Sequence, residues 1–473
     1  MRFLYPDIYD LYRGSDVFRR AAPGVIRSTQ HRSDCFAFPG YGRRGYHLAE
    51  QVRLSSVEMP HLMPKLSKIL LLAMSVVLVL AVFLGVNSSG VSAATDGQDG
   101  AYRQMNVYTE VLRHIQTDYV TEPNIPSVTN GAMRGLLEKL DVDSSYLTPD
   151  EYKAYKEDRG GKAQVGINIS KRYGYAAVVS VVPGSPADKA GLSDGDILEA
   201  IEGKDTMNIS LAMIQKILEG APGSTLTVGV VRPNKAEPDK VVMVRTIVVE
   251  PPVQTSVYEN TSILYLKPEI LDREHVDQVE TKLKGMQKAG NKKVLLDLRD
   301  VAAGDMTQAT RLANMFLESG TIASLEGQKF PKQVFTAERD KTIQGTVPMV
   351  VLVNRGTAGP AELVAAAMLD NKRADVVGDK TFGEGALQKT FELPDGAALI
   401  LSVAKYESPS GKKLQDDAVT PNIVVASAAD EDDGVDDEAP AETKPAATTA
   451  SKPAVQVDEQ LTKALDILKE KNV

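Results

Sequence analysis

Side chains able to do covalent or metal chemistry are scarce in this 473-residue chain. Cys35 is its one cysteine, so neither an internal disulfide nor a multi-cysteine metal site can form. Past residue 100 the only histidines are His114 and His275, and both read as ordinary surface residues. That leaves no ready histidine base for a nucleophile. No metal and no cofactor are implied. Two glycine-bearing stretches gather the polar groups: Val353-Asn354-Arg355-Gly356-Thr357-Ala358-Gly359-Pro360-Ala361-Glu362, and Thr381-Phe382-Gly383-Glu384-Gly385 with Gln388 just beyond. A carboxylate such as Glu384 can serve as a base, but it needs a group to activate. Gly359 offers none, having no side chain.

The elements that would position these stretches follow from periodicity. Thr255 to Val425 alternates apolar strand runs (ILYL, VLLDL, MVVLV, ADVVG, ALILSVAKY) with helical stretches over Ala309–Leu317 and Ala361–Asp370. That alternation predicts an α/β core with a largely parallel sheet. Pro360 suits a first helical turn, where no N–H partner is needed, and Gly359 before it permits a sharp entry. Upstream, Gln164–Arg232 holds short β-rich runs (VGINI, AAVVSVV, TLTVGVV), a further strand over Ile197–Ile201 and a helix over Leu211–Leu218. This predicts a small β-sandwich-like unit. Ala101–Tyr155 reads helical, with Val107, Val111, Ile115 and Tyr119, then Met133, Leu136, Leu137 and Leu140, at helical spacing. Ser145–Glu151 reads as a loop feeding a capped helix, with Thr148, Pro149 and Glu151 as the capping signature.

The termini have a different character. Ile69–Val86 is a nearly unbroken apolar run preceded by Lys65 and Lys68 and followed by Val91-Ser92-Ala93, an export signal with a cleavage pattern near Ala93. At 18 residues it is at the lower limit for spanning a bilayer. The basic flank puts the N-terminus inside and the bulk of the chain outside the cytoplasm, anchored by one helix or released. Residues 1–62 form a leader of doubtful status, since Met63 reads like a natural start. The net charge of −9 is concentrated: Asp430–Val457 carries eight acidic residues against Lys444 and Lys452. No basic stripe points to nucleic acid. That Ala-, Pro- and acid-rich linker, 426–457, is too polar to order itself. Asp458–Lys469 then shows Leu461, Leu465 and Leu468 as the stripe of a docking helix.

Taken in order, these segments resemble the carboxy-terminal processing (tail-specific) serine peptidase family. The resemblance is carried by Gly131–Tyr152 (GAMRGLLEKLDVDSSYLTPDEY), Val181–Gly203 (VVPGSPADKAGLSDGDILEAIEG), LLDLR from Leu295, VVLVN from Val350, VVGDKTFGEG from Val376 and VTPNIVV from Val419. It implies a multidomain α/β fold. An N-terminal helical segment (101–157) precedes a β-sandwich-like PDZ domain (158–250), an α/β tail-specific peptidase core (251–425) and, past the linker, a C-terminal helix (458–473).

The resemblance also implies sites. A PDZ domain receives a peptide carboxylate on backbone N–H groups of a glycine loop and adds the peptide as a strand beside a helix. The matching residues are Val165, Gly166, Ile167, Asn168 and Ile169, with Leu211, Ile214 and Leu218 on the helix. The family's nucleophile is the middle Ser of V-N-x-G-S-A-S-A-S-E, which falls on Gly359. Its Lys base, in T-F-G-K-G with a Gln four residues on, falls on Glu384, with Gln388 as the Gln. Its L-D-L-R-N-N-P-G-G oxyanion region becomes Leu296 to Gly304, with Ala303 and Gly304 at the glycine pair and Asp305 following. An acidic side chain there would oppose a developing negative charge. Thr357 and Lys380 are the remaining hydroxyl and amine candidates. The expectation is therefore a degenerate, exported peptidase that binds protein C-termini or partners. The alternative is an active serine-type endopeptidase with a relocated nucleophile or base. A structural envelope protein assembled through its tail is a third reading. Partner identity and oligomeric state have no signal in the sequence.

Overall fold

The computed structural model describes residues 70, 73–78, 96–157, 163–232, 237–260, 262–426 and 458–471. The leader, Cys35, the cleavage pattern at Ala93 and the acidic linker past Ala426 lie outside the described residues. Of the apolar run, Leu70 and Ala73 to Leu78 are described; they are helical and exposed. Among the described residues no helix is long and apolar enough to cross a membrane.

The chain divides into two compact units near residue 125. In the first, helix α1 (Asp96–Asp118) forms where helical spacing predicts it. Its Val107, Val111 and Tyr119 are exposed rather than buried, and His114 is on the surface as expected.

The second unit opens with α2 (Ile125–Glu138), strand β1 (Ser145–Leu147) and α3 (Pro149–Lys156). Ser145–Leu147 is thus a strand and not the expected loop; it is fully buried and pairs antiparallel with β16 (Ala398–Glu407) of the core. The capping box is as expected: Thr148 accepts from the Glu151 N–H, Glu151 accepts from Thr148, and Pro149 opens the helix.

The β-rich unit follows: β2 (Ile167–Arg172), β3 (Tyr175–Val181), β4 (Ile197–Ile201), β5 (Lys204–Asp205), helix α4 (Leu211–Leu218), β6 (Thr225–Val231) and β7 (Asp239–Val244). They form one antiparallel sheet, β2-β3-β4-β6-β7, with β5 on β4. Alternate strand residues such as Ile167, Ile169, Leu226, Val228 and Val230 bury one face against Leu211, Ile214 and Leu218 of α4. The opposite face of α4, Ala212 and Met213, packs on Leu147, Tyr152 and Ile400.

The remaining core has two sheets. One is β8 (Gln254–Tyr258), β9 (Ile263–Lys267), β10 (Lys293–Asp297), β13 (Met349–Val353), β14 (Asp375–Gly378) and β17 (Ile423–Val424), ordered β17-β14-β13-β10-β9-β8. Its pairs are parallel except β8 with β9, matching the expected largely parallel sheet. Helices α5 (Arg273–Gly285), α6 (Met306–Asn314) and α7 (Pro360–Asp370) supply side chains such as Val276, Leu312 and Leu363 to the main core with Leu296 and Val351. The C-terminal helix α8 (Glu459–Glu470) joins Tyr265, Leu295 and Val350 in a separate cluster, so the sheet is covered by helices on both faces. The second sheet, β1-β16-β11-β12 with β15 on β16, is antiparallel and uses β11 (Thr321–Glu326), β12 (Gln333–Thr336) and β15 (Ala386–Glu392).

Candidate active site and peptide groove

The two glycine-bearing stretches meet. β13 ends at Val353, turns, and enters α7 at Gly359, whose φ of 55° and ψ of −113° lie where L side chains are strained. A Cβ placed there meets nothing within 4 Å, so the restriction is conformational and not one of space. An N–H group on the residue after such a turn is a standard oxyanion donor. Here that residue is Pro360, which has no N–H. Position 359 thus offers no hydroxyl, position 360 no amide and position 384 a carboxylate.

Glu362 holds the frame around these positions. This residue is fully buried. Its Oε2 accepts from the Gly359 N–H at 3.0 Å and the Glu384 N–H at 2.7 Å. Its Oε1 accepts from the Gly383 N–H at 2.9 Å and from the Thr381 hydroxyl. One carboxylate thus joins the start of α7 to the loop that carries position 384. Burial pushes its pKa up to about 7 against the pull of those donors.

Glu384 makes no side-chain hydrogen bond among the described residues. Burial first, then the charges of Asp143 and Glu362, lifts its carboxyl well above the usual range. Asp143, just ahead of β1, is raised likewise by burial and by Asp141. It is held by Gln415 Nε2 on Oδ2 at 2.9 Å and by Gln388 Nε2 on its carbonyl at 2.8 Å. The site is a set of three carboxyls where a hydroxyl–amine pair would be needed. Glu384 is poised to carry a proton at neutral pH, not to remove one.

The surrogates do not come together. Thr357 is fully buried; its hydroxyl donates to Leu298 O at 2.8 Å and accepts from the Asn354 N–H at 3.0 Å. Lys380 is exposed. At the oxyanion region, Gly304 has φ 143° and forms an isolated parallel bridge with Leu271. Leu271 donates to Ala303 O at 3.0 Å. Asp305 caps α6 by accepting from the Thr307 N–H, which commits one of its carboxylate oxygens to the helix start. His275 is also corrected: it is buried, with Nδ1 against Asp272 at 2.7 Å and Nε2 against Pro251 O at 2.9 Å. Glu362 could have been found from its place three residues after a helix start. Asp143 and Gln415 carry no such mark.

The predicted peptide residues do converge. Val165, Ile167, Ile169, Leu211, Ile214 and Leu218 are each at most 8% exposed and share one cluster with one another. In this structure β2 and α4 lie directly together, so a peptide strand must part them. Gly166 has φ 83°, and a Cβ on it would meet the Ser185 side chain at 2.3 Å. The N–H groups of Val165 and Gly166 donate to nothing among the described residues. Asn168 Nδ2 donates to Ser180 Oγ at 2.8 Å. The far edge of β2 has no strand partner in the sheet. The β-rich unit also touches neighbours of these positions: Val179 of β3 packs with Ala302, Ala358 and Phe382.

Comparison with known proteins agrees with this architecture. Residues 262–425 match the model of peptidase family S41, and residues 178–232 match that of the PDZ domain. The chain is 32% identical over 300 residues to a carboxyl-terminal-processing protease of Picosynechococcus sp., covering 62% of this chain and 72% of the relative. It is 29% identical over 339 residues to a carboxy-terminal-processing protease of Bartonella bacilliformis, covering 71% and 78%. Among solved structures, the photosystem II D1 C-terminal processing protease shares the fold with a TM-score of 0.56 at 23% identity, over 68% of this chain and 92% of that one. With the α/β core, the PDZ domain and the Gly359–Glu384 frame all in the expected order, this chain belongs to peptidase family S41, among the carboxy-terminal-processing proteases.

Proposed function

We propose that this chain is a non-hydrolysing member of its family, which binds protein or peptide C-termini through its PDZ domain. The observation that carries the reading is the set of coincident losses at one intact frame: glycine at 359, proline at 360 and an acid at 384. The unpaired edge of β2 and the free N–H groups of Val165 and Gly166 support terminus binding, since a peptide can add as a strand with its carboxylate on those amides. Peptide entry requires α4 to move from β2. The basic-flanked apolar run places this activity outside the cytoplasm. The rival reading, a peptidase with Thr357 or Lys380 as a relocated group, has to free a buried, committed hydroxyl.

The test uses purified protein and a library of labelled peptides. Cleavage should be absent. Binding should appear for peptides with an apolar last residue and a free carboxylate, and fall at least tenfold when the terminus is amidated. Equal affinity for acid and amide forms rejects the groove. Turnover abolished by Thr357→Ala or Lys380→Ala establishes the rival.

A further inference from the structure

The chain leaves the PDZ domain for the core through a short connection. Thr246 still pairs with Gln164 of the PDZ domain, and Gln254 opens β8. Between them, Ile247 to Glu250 make no backbone–backbone hydrogen bond among the described residues. Two hydrogen bonds then hold the segment, both from α5. The Pro251 carbonyl faces His275 Nε2 at 2.9 Å, and the Val253 N–H donates to Gln278 Oε1 at 2.9 Å. Residues 275 and 278 are three apart, so they lie on one face of the helix.

His275 is 4% exposed, and both of its ring nitrogens face acceptors. Nδ1 lies 2.7 Å from Asp272 Oδ1, which also caps α5 by accepting the His275 N–H at 2.9 Å. Burial pushes the Asp272 carboxyl up, but the bonds from His275 outweigh it and hold the acid below its usual range. Asp272 is therefore ionised and has no proton to give, and a carbonyl oxygen has none either. A neutral imidazole carries one N–H, so only the imidazolium makes both bonds. The bond to Asp272 raises the His275 pKa against the effect of burial. The charged groups around this contact are Asp272 and Glu274 at the start of α5, Glu250 on the connection, and Glu269 with Lys267 at 3.8 Å. Burial lifts Glu250 to about 7 against the pull of His275.

We propose that the His275 imidazolium is a proton-operated latch that pins the connection between PDZ domain and core to α5, and that loss of one ring proton opens it. The bond to an ionised carboxylate is the stronger of the two, so the remaining proton stays on Nδ1 and Pro251 O is released. Gln278 alone then holds the segment. A histidine whose pKa is raised by folding keeps its contact fully below the unfolded value, about 6.5, and loses it as pH climbs through the folded one. The connection is therefore tight in mildly acidic surroundings and loose in alkaline ones. The inference depends neither on peptide binding nor on the chemistry at 359 and 384.

The experiment uses the full chain with 15N-labelled histidines, the His275 signals being those lost in His275→Gln. At pH 6 both ring nitrogens should carry protons, and on titration Nε2 should be the one to lose its own. Hydrogen exchange, corrected for the intrinsic rate at each pH, should show protection at the Val253 amide falling about tenfold between pH 6 and 9, in step with that titration. His275→Gln should show equal protection at both ends. Asp272→Asn, which keeps a capping side chain, should lower the His275 midpoint by about one pH unit and move the exchange transition with it. Glu250→Gln should leave the transition on the His275 midpoint. A ring that is neutral at pH 6, protection that ignores the ring titration, or a transition that survives in His275→Gln or vanishes in Glu250→Gln overturns the proposal.

Discussion

Four donors converge on the Glu362 carboxylate, and they come from both halves of the site. Because the frame hangs on this residue, the chemistry at 359 and 384 can change without collapse. Gly359→Ser with Glu384→Lys should therefore fold but turn over peptides weakly at best, since Pro360 still lacks its amide. Adding Pro360→Ala should raise that rate by about 10²–10³, the usual worth of one oxyanion donor; an unchanged rate would show that the amide at 360 has no such role. The raised carboxyls also set a pH dependence. An acid whose pKa is raised by folding stabilises the fold only while protonated. Its contribution is complete below the unfolded value and is lost as pH climbs through the raised one, which for Glu362 lies near 7. Urea midpoints should fall from mildly acidic pH towards neutrality and beyond. Glu384→Gln should flatten that slope and add about 1–3 kcal/mol above pH 8. A variant no more stable than the parent there contradicts the buried-acid reading. At this scale the glycine at 359 and the acid at 384 were legible, because motif positions are read directly. It could not show that Thr357 is spent on Leu298 O, or that Asp143 stands beside Glu384 from more than 200 residues away, since neither contact has a local signature.

At the scale of elements, the parallel sheet was legible because its strands are buried on both faces and so read as unbroken apolar runs. The antiparallel sheet was missed in part: β12 and most of β15 face solvent, and their mixed composition gives no clear period. Docking of the last helix was legible from Leu461, Leu465 and Leu468, but its clamp was not. Arg299 bridges fully buried Asp297, at 2.6 Å, to Asp458 at the start of α8, at 2.9 Å. Tyr265 donates to the same Asp297 at 2.9 Å. Arg299→Ala leaves a buried carboxylate without its cation, at a cost of about 3–5 kcal/mol. Hydrogen exchange should then show α8 losing protection ahead of β10 and β13. Uniform loss across all three would mean that the clamp does not act on the helix.

At the scale of the second unit, domain order was legible from the chain of motifs, whereas the contact between PDZ domain and core was not. Val179 is 3% exposed among Ala302, Ala358 and Phe382. A charge there cannot be hydrated without parting the domains. Val179→Asp should lower stability by about 2–4 kcal/mol and split one calorimetric transition into two. An unaltered single transition would show that the domains melt together for other reasons.

Gly359 has a consequence for the history such a chain can take. Any residue with a side chain at its φ and ψ carries about 1–3 kcal/mol of backbone strain, and glycine carries none. Against a total stability of about 5–15 kcal/mol, that relief widens the range of substitutions the fold survives elsewhere. On the proposed non-hydrolysing reading, loss of the nucleophile is thus self-reinforcing. It frees neighbours such as residues 302 and 360 to drift, and each drift makes a return to catalysis need one more simultaneous change.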